Sequence, residues 1–236
     1  FVTSQYDGGE SEPSNSVTVT IAYVDVGVVI IDLDPPPTGG AIQDALQDIY
    51  PGGVMVATSL DEYDLIGMDA VFVLLGIFAS NTIIGGGAEQ PLIDYINSGG
   101  NLYMEGFDMW HYDPQSQGAY DFGPLFGINA VADGSADLSQ VTGYDFLEGM
   151  SWNYSGENNW IDRLGVLSSA FPLIVNSDPE YAVSVAYDGG SYRTIASSFE
   201  YGGLDDSSDR QALLLSILNF LDNGGAPDWM PAVSYT

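Results

Sequence analysis

The chain has 236 residues, of which 45% are hydrophobic and 15% are charged, a composition typical of a globular protein with a substantial core. The chain is strongly acidic, because it has 33 acidic and only three basic residues and a formal net charge of −30. This excess argues against nucleic acids and anionic membranes as partners, since both are bound through lysine and arginine. Cysteine is absent, which excludes disulfides, thiolate metal sites and a cysteine nucleophile. No apolar run reaches the roughly 18 residues that a membrane-spanning helix needs, so membrane insertion is not expected.

The first 21 residues predict two alternating strands joined by a turn-rich loop. Residues 1–6 and 16–21 alternate apolar and polar side chains, and the loop between them contains Gly8, Gly9 and Pro13. The aromatic-Val-Thr strand, the Gly-Glu-Ser-x-Pro-Ser loop and the Val-x-Val strand resemble the last two strands of a fibronectin type III or related immunoglobulin-like domain. The resemblance implies a partial sandwich over residues 1–22, whose unpaired edges need a partner surface.

From residue 24 onward the pattern alternates buried strands with amphipathic helices. Continuous apolar runs predict buried strands, at residues 28–33, 54–57, 69–75 and 101–105. Helical spacing of apolar residues predicts amphipathic helices, at residues 41–50, 91–98 and 208–221. Residues 181–199 predict a hairpin, and residues 106–179 lack clear periodicity and predict loops and short strands. We therefore expect an α/β fold with a mostly parallel central sheet and helices on both faces.

Three motifs carry a resemblance to a known fold family. They are the Ile-Asp-Leu-Asp end of the first strand at residues 31–34, the segment 95–106, and the segment 197–202 before a leucine-rich helix. In these features the chain resembles the flavodoxin-like, class I glutamine-amidotransferase-like domains of secreted bacterial multidomain proteins. The resemblance implies a flavodoxin-like domain over residues 23–225, followed by an extended tail at residues 226–236. It also implies an extracellular location, which the acidic surface favours too.

The catalytic residues of that family are missing from this sequence. Its members place a cysteine on a sharp strand-to-helix turn, where a histidine activates it. This chain has no cysteine, no Gly-x-Ser-x-Gly motif and a single histidine, His111. We therefore expect a protein without enzymatic activity, and a divergent hydrolase that uses Glu105, Asp108 and His111 is the less favoured alternative.

The densest polar cluster follows the strand at residues 101–105, where open α/β sheets bind ligands. It combines acids, the one imidazole and an aromatic ring: Glu105, Asp108, Trp110, His111 and Asp113. Such a cluster suits acid–base chemistry or a divalent ion, and its aromatic ring suits a sugar. The alternative is a vestigial site whose polar groups now only hold a loop.

Two further acidic sets are candidates for Ca²⁺, which prefers roughly six to eight oxygen ligands. Their members are Asp32, Asp34, Asp205, Asp206 and Asp209. Neither set has the spacing of an EF-hand, and Asp209 equally suits a helix cap. No other cofactor is expected. Asn153 begins an Asn-Tyr-Ser sequon and is the candidate for N-glycosylation.

Two functions stay open. The first is an extracellular structural protein that assembles into a filament or another homopolymer, because an incomplete sandwich that pairs with a neighbouring copy can propagate. The residues expected to make this contact are the alternating side chains of the opening strands: Phe1, Val2, Tyr6, Val17, Val19 and Ile21. The second is a non-catalytic accessory module of a larger secreted enzyme or adhesin, which binds a glycan or a protein through residues 110–120.

Overall fold

The structure, a computed structural model, describes residues 5–6, 9–10, 27–34, 40–50 and 53–223. Its main feature is one mixed sheet of eleven strands. Within these ranges four α-helices accompany the sheet: α1 at Gly40–Ile49, α2 at Gln90–Asn97, α3 at Tyr112–Ser116 and α4 at Ser207–Asn223. No helix in the described part of the chain has the length and apolarity to cross a membrane.

The opening hairpin is described only in part. Strand β1 at Gln5–Tyr6 pairs antiparallel with β2 at Gly9–Glu10, and Tyr6 lies opposite Gly9. The other residues predicted to make an assembly contact lie outside the described residues: Phe1, Val2, Val17, Val19 and Ile21. The predicted tail at residues 226–236 lies outside them as well, so assembly through the terminal segments stays a prediction.

Five strands form the parallel half of the large sheet. In spatial order they are β4 (Val54–Ala57), β3 (Val28–Asp32), β5 (Ala70–Leu74), β6 (Leu102–Glu105) and β13 (Arg193–Ser197), and each neighbouring pair is parallel. Their apolar runs are continuous because both faces are covered. On one face Ile30 and Phe72 pack with α1 and α4, and on the other face Ile31 and Val71 pack with α2.

Six strands form the antiparallel half. From β13 the sheet continues through β12 (Glu180–Asp188), β11 (Ala170–Ser177), β8 (Gln140–Gly143) and β9 (Ser151–Asn153). Strand β10 (Arg163–Val166) branches from β12, and β7 (Ile128–Ala132) pairs with β10. All these pairs are antiparallel.

The expectation of a mostly parallel sheet with helices on both faces is therefore wrong for the sheet as a whole, although helices do cover both faces of its parallel half. Within the described residues four strand pairs of the large sheet are parallel and six are antiparallel. The difference lies in residues 106–179, where the expected loops and short strands include the five strands β7 to β11, which belong to the antiparallel half of the large sheet. Strands β7 to β10 have only three to five residues, and register shifts interrupt β10 and β11, so the sequence lacks a sustained period.

Strand β13 joins the two halves, because it is parallel to β6 on one side and antiparallel to β12 on the other. Beyond the end of β6 another contact ties the halves together, because the backbone N–H of Asp162 donates to the Phe107 carbonyl at 3.0 Å. The backbone N–H of Gly106 donates to the Ser197 carbonyl at 3.1 Å and continues the pairing of β6 with β13. The carboxyl ends of β5 and β6 therefore lie beside the segment that enters β10.

Candidate functional site

A pocket of about 370 Å³ lies where the two halves meet, and we call it the junction pocket. The parallel half contributes Phe78, which follows β5, and Asp108 and Tyr112, which follow β6. The antiparallel half contributes Asp133, which follows β7, and Asn158 and Trp160, which precede β10. The pocket therefore occupies the sheet edge where open α/β proteins bind their ligands, but half of its wall comes from loops that connect strands of the antiparallel half.

Asp162 anchors the loop after β6 to the antiparallel half. Its Oδ2 accepts the backbone N–H groups of Trp110 at 2.9 Å and of His111 at 2.7 Å. Nearby, a side chain at position 134 would bring its Cβ within 2.1 Å of the Ile161 carbonyl oxygen, so only glycine fits there. This close approach of the two backbones sets Asp133 beside Asp162.

Three carboxylates converge at the pocket, and we call Asp108, Asp133 and Asp162 the carboxylate triad. Each contributes an oxygen that lies within 4.8 Å of the oxygens of the other two. Asp162 is fully buried and Asp108 is 6% exposed, whereas Asp133 is exposed. Oδ2 of Asp108 and Oδ1 of Asp162 are buried without a hydrogen-bond partner, which is costly for an ionised carboxylate.

Burial and mutual repulsion shift the acidity of the triad. Burial raises the pKa of Asp162 to about 8, aided by the negative charges of Asp108 and Asp133 and opposed by the two backbone N–H groups that it accepts. Burial also raises the pKa of Asp108 to about 7, and the charges of Asp113 and Asp133 add to that rise. Near pH 7 the carboxyl group of Asp162 is therefore mostly protonated and that of Asp108 is divided between its neutral and charged forms, so the negative charge of the triad grows as the pH rises.

Aromatic side chains form the open walls of the junction pocket. Phe78 is 52% exposed and Trp160 is 49% exposed, although both are large and apolar. The indole Nε1–H of Trp160 donates to Oδ1 of Asp133 at 2.6 Å, and the Tyr112 ring meets the Phe78 ring edge-on at 5.8 Å. These contacts fix the rings while leaving apolar surface accessible to a ligand.

The structure separates the polar cluster that the sequence places after β6. Asp108 reaches the junction pocket, but Trp110 is 3% exposed, donates its indole N–H to the Ser197 carbonyl at 2.9 Å and packs on Phe126. The His111 ring lies with Nδ1 at 2.9 Å from the amide nitrogen of Gln115. Trp110 is thus a core residue rather than a sugar-stacking platform.

The other two acids of that cluster are buried in different surroundings. Glu105 is 7% exposed and accepts the Tyr103 hydroxyl at 2.6 Å and the Tyr201 backbone N–H at 2.9 Å. Asp113 is 1% exposed, accepts the Asn81 amide at 2.7 Å and leaves its Oδ1 without a partner; burial raises its pKa. Neither is among the residues that line the junction pocket.

Two of the acids in the predicted calcium sets, Asp205 and Asp206, accept hydrogen bonds from neighbouring residues. Asp206, not Asp209, caps α4: its Oδ1 accepts the N–H and hydroxyl of Ser208 at 3.0 and 2.6 Å. Asp205 accepts the backbone N–H and the amide of Asn153, each at 2.8 Å. Asn153 is exposed. Calcium binding by these acids and glycosylation of Asn153 stay predictions.

A second groove, of about 820 Å³, lies at the carboxyl ends of β3 and β4. Its wall includes Asp32, Asp34, Thr58, Asp61 and Thr82. Oδ1 of Asp32 accepts the backbone N–H of Asp34 at 3.2 Å. The groove therefore contains two of the acids predicted to bind calcium, without the exposed aromatic rings of the junction pocket.

Most of the junction pocket is not predictable from the sequence. Five residues of the pocket and triad are absent from the predicted site residues: Phe78, Asp133, Asn158, Trp160 and Asp162. The one local pattern that indicates a site is the segment 158–162, in which polar and aromatic side chains stand together just before a strand. This pattern does not indicate which distant strand will pair with β10. Asp133 comes close to the segment only because β7 pairs with β10.

No protein-family model matches the sequence, and no curated protein matches it either. Solved structures are similar in fold. A GMP synthase-like protein from Thermoplasma acidophilum is 12% identical, with a TM-score of 0.54 over 81% of this chain and 92% of that one. A ThuA-like protein from Bacteroides uniformis is 10% identical, with a TM-score of 0.54 over 91% of this chain and 98% of that one.

A β-galactosidase from Rahnella sp. R3 is similar over 83% of this chain but only 31% of its own length, with 14% identity and a TM-score of 0.52. Identities this low define a shared fold and nothing finer. By fold, the chain is an α/β domain similar to these solved structures, with a mixed sheet that is parallel in one half and antiparallel in the other.

Proposed function

We propose that this chain is a non-catalytic carbohydrate-binding module that holds a glycan in the junction pocket. The observation that carries the proposal is the pair of half-exposed rings, Phe78 and Trp160, that face one pocket together with carboxylate and amide groups. The C–H faces of a sugar pack on aromatic rings, and its hydroxyl groups bond to carboxylates and amides. A pocket with both kinds of surface suits a polyhydroxylated ligand better than a purely apolar one.

The charge of the pocket narrows the class of glycan. Asp108 and Asp133 line its wall, Asp162 lies beside them, and the whole chain carries a formal charge of −30. Sulfated or uronic-acid-rich glycans would meet strong repulsion in this field. Neutral hexose polymers and amino sugars are therefore the favoured ligands.

The positions of the candidate catalytic residues favour binding over turnover. A hydrolase that used Glu105, Asp108 and His111 would need all three at one substrate, but Glu105 is buried and bonded to Tyr103 and Tyr201. The chain also lacks the cysteine of amidotransferases. We place the module outside the cell, as part of a larger secreted enzyme or adhesin, because its acidic surface suits a saline medium.

The test is a binding screen of neutral and amino-sugar oligosaccharides against the wild-type chain, Trp160→Ala and Tyr144→Ala. Tyr144 is 40% exposed and is absent from the pocket wall, so it is a matched control for loss of an exposed aromatic ring. We expect at least tenfold weaker binding in Trp160→Ala and unchanged binding in Tyr144→Ala, measured by calorimetry. Equal binding by both variants, no binding by the wild type, or cleavage of the bound glycan would each contradict the proposal.

A further inference from the structure

We infer that the carboxylate triad of Asp108, Asp133 and Asp162 is a binding site for one divalent cation of the Ca²⁺ class. This inference does not depend on glycan binding, because it concerns the protein and the ion alone. It also differs from the calcium sets that the sequence suggests, since no member of the triad belongs to them.

The first argument is the pair of buried carboxylate oxygens without partners. Asp162 has no exposed surface, and its Oδ2 is already used by two backbone N–H groups while Oδ1 has no partner. Asp108 is 6% exposed and leaves Oδ2 without a partner. Buried polar atoms are nearly always satisfied, so two such oxygens in one cluster point to a ligand that supplies positive charge.

The second argument is that the guanidinium adjacent to the triad in sequence pairs with another acid. Arg163 follows Asp162 in sequence, but its Nη2 donates to Oδ2 of Asp137 at 2.7 Å and to the Ser135 hydroxyl at 2.7 Å. Its guanidinium carbon also lies 4.5 Å from the centre of the Tyr181 ring. These contacts hold the charge of Arg163 on Asp137 instead of on the triad.

The chemistry of the donors points to the kind of ion. The triad offers three carboxylate oxygens that lie within 4.8 Å of one another, and its cluster contains no sulfur or imidazole ligand. Hard divalent cations prefer oxygen ligands, and Ca²⁺ accepts them in flexible geometry at roughly 2.3–2.6 Å, whereas Mg²⁺ demands a near-ideal octahedron. Three carboxylates from three separate loops therefore suit Ca²⁺ better than Mg²⁺.

The ion would lie next to the junction pocket. Asp108 and Asp133 belong both to the triad and to the pocket wall, and Oδ1 of Asp133 holds the indole of Trp160. Three carboxylates leave several positions in the coordination sphere of Ca²⁺ for water or for hydroxyl groups. Bound calcium would thus also remove the repulsion among the three acids.

The experiment measures calcium alone, with no sugar present, on chelator-treated protein at fixed ionic strength. Calorimetry should give one saturable site per chain in the wild type. Asp162→Asn and Asp133→Asn should each bind Ca²⁺ at least tenfold more weakly, and Asp44→Asn should match the wild type. Asp44 is exposed on α1, so this control removes the same charge from elsewhere on the surface.

Terbium provides a second readout because its emission is sensitised by a nearby indole. Tb³⁺ should luminesce on excitation of the wild-type tryptophans, lose emission when Ca²⁺ is added, and emit far less with Trp160→Phe or Asp133→Asn. Asp133 is exposed, so Asp133→Asn tests the site even if Asp162→Asn fails to fold. Calcium binding by Asp133→Asn at wild-type affinity, or diffuse binding without saturation in the wild type, would overturn the inference.

Discussion

The two halves of the large sheet are stabilised in different ways. In the parallel half β5 is buried at every position and β3 at all but its last, because helices cover both faces. In the antiparallel half β8 and β9 are buried only at alternate positions, and residues 133–162 expose acids and rings to solvent. At the junction pocket the buried strands β5 and β6 of the parallel half position Phe78 and Asp108, and the loops of the antiparallel half add Asp133 and Trp160 opposite them. The junction pocket exists because β13 holds the two halves together.

The largest expected effect is the loss of stability when a core side chain of either half is truncated, and it tests whether the two halves unfold together. Phe72 in β5 and Trp152 in β9 are both fully or almost fully buried, and both belong to one continuous apolar core. We expect Phe72→Ala and Trp152→Ala each to lower the free energy of unfolding by about 3–5 kcal/mol. In urea, both variants should show a single transition that is the same by circular dichroism and by tryptophan fluorescence.

The control for this comparison is Ile66→Ala, since Ile66 is 53% exposed and its truncation should change stability by less than about 0.5 kcal/mol. If Trp152→Ala instead gave two transitions, with the parallel half unfolding separately, the two halves would be independent units. That result would contradict a single core shared by both halves.

A smaller effect, which depends on pH, should come from Glu105 at the end of β6. Burial raises its pKa from about 4.5 to about 8; the hydrogen bonds from Tyr103 and Tyr201 oppose this rise, and the charges of Glu200 and Asp34 add to it. Between pH 5 and 8 the folded chain keeps a proton that the unfolded chain releases, so stability falls as pH rises through this window. Across the whole window the free energy of unfolding falls by about 1.4 kcal/mol for each unit by which the folded and unfolded pKa values differ, which is on the order of a few kcal/mol in total.

Glu105→Gln removes the titratable carboxyl group but keeps an oxygen that can accept the Tyr103 hydroxyl and the Tyr201 backbone N–H. Urea unfolding at pH 5 and pH 8.5 should therefore show a smaller loss of stability in the variant than in the wild type. Asp108 and Asp162 titrate in the same window in both proteins, so the difference isolates Glu105. Parallel stability curves for the two proteins would refute the assignment.

The same contrast explains what the sequence could predict. Strands β3 and β5 and helices α2 and α4 lie within about two residues of their predicted bounds, because continuous apolar runs and helical spacing are local signals. The order of the antiparallel strands depends on pairing between distant segments, such as β7 with β10, which no local pattern encodes. Asp108 is predictable because it follows a strongly apolar strand, but Asp162 and Trp160 precede a short strand with one buried residue.

The most direct test of a pocket built by both halves is the affinity for one bound oligosaccharide in Phe78→Ala and in Trp160→Ala, measured by calorimetry. Phe78 comes from the parallel half and Trp160 from the antiparallel half. We predict that each substitution weakens binding at least tenfold, which corresponds to about 1.4 kcal/mol, while Tyr144→Ala leaves it unchanged. Loss of affinity in only one of the two pocket variants, or in neither, would contradict a ligand site shared between the two halves.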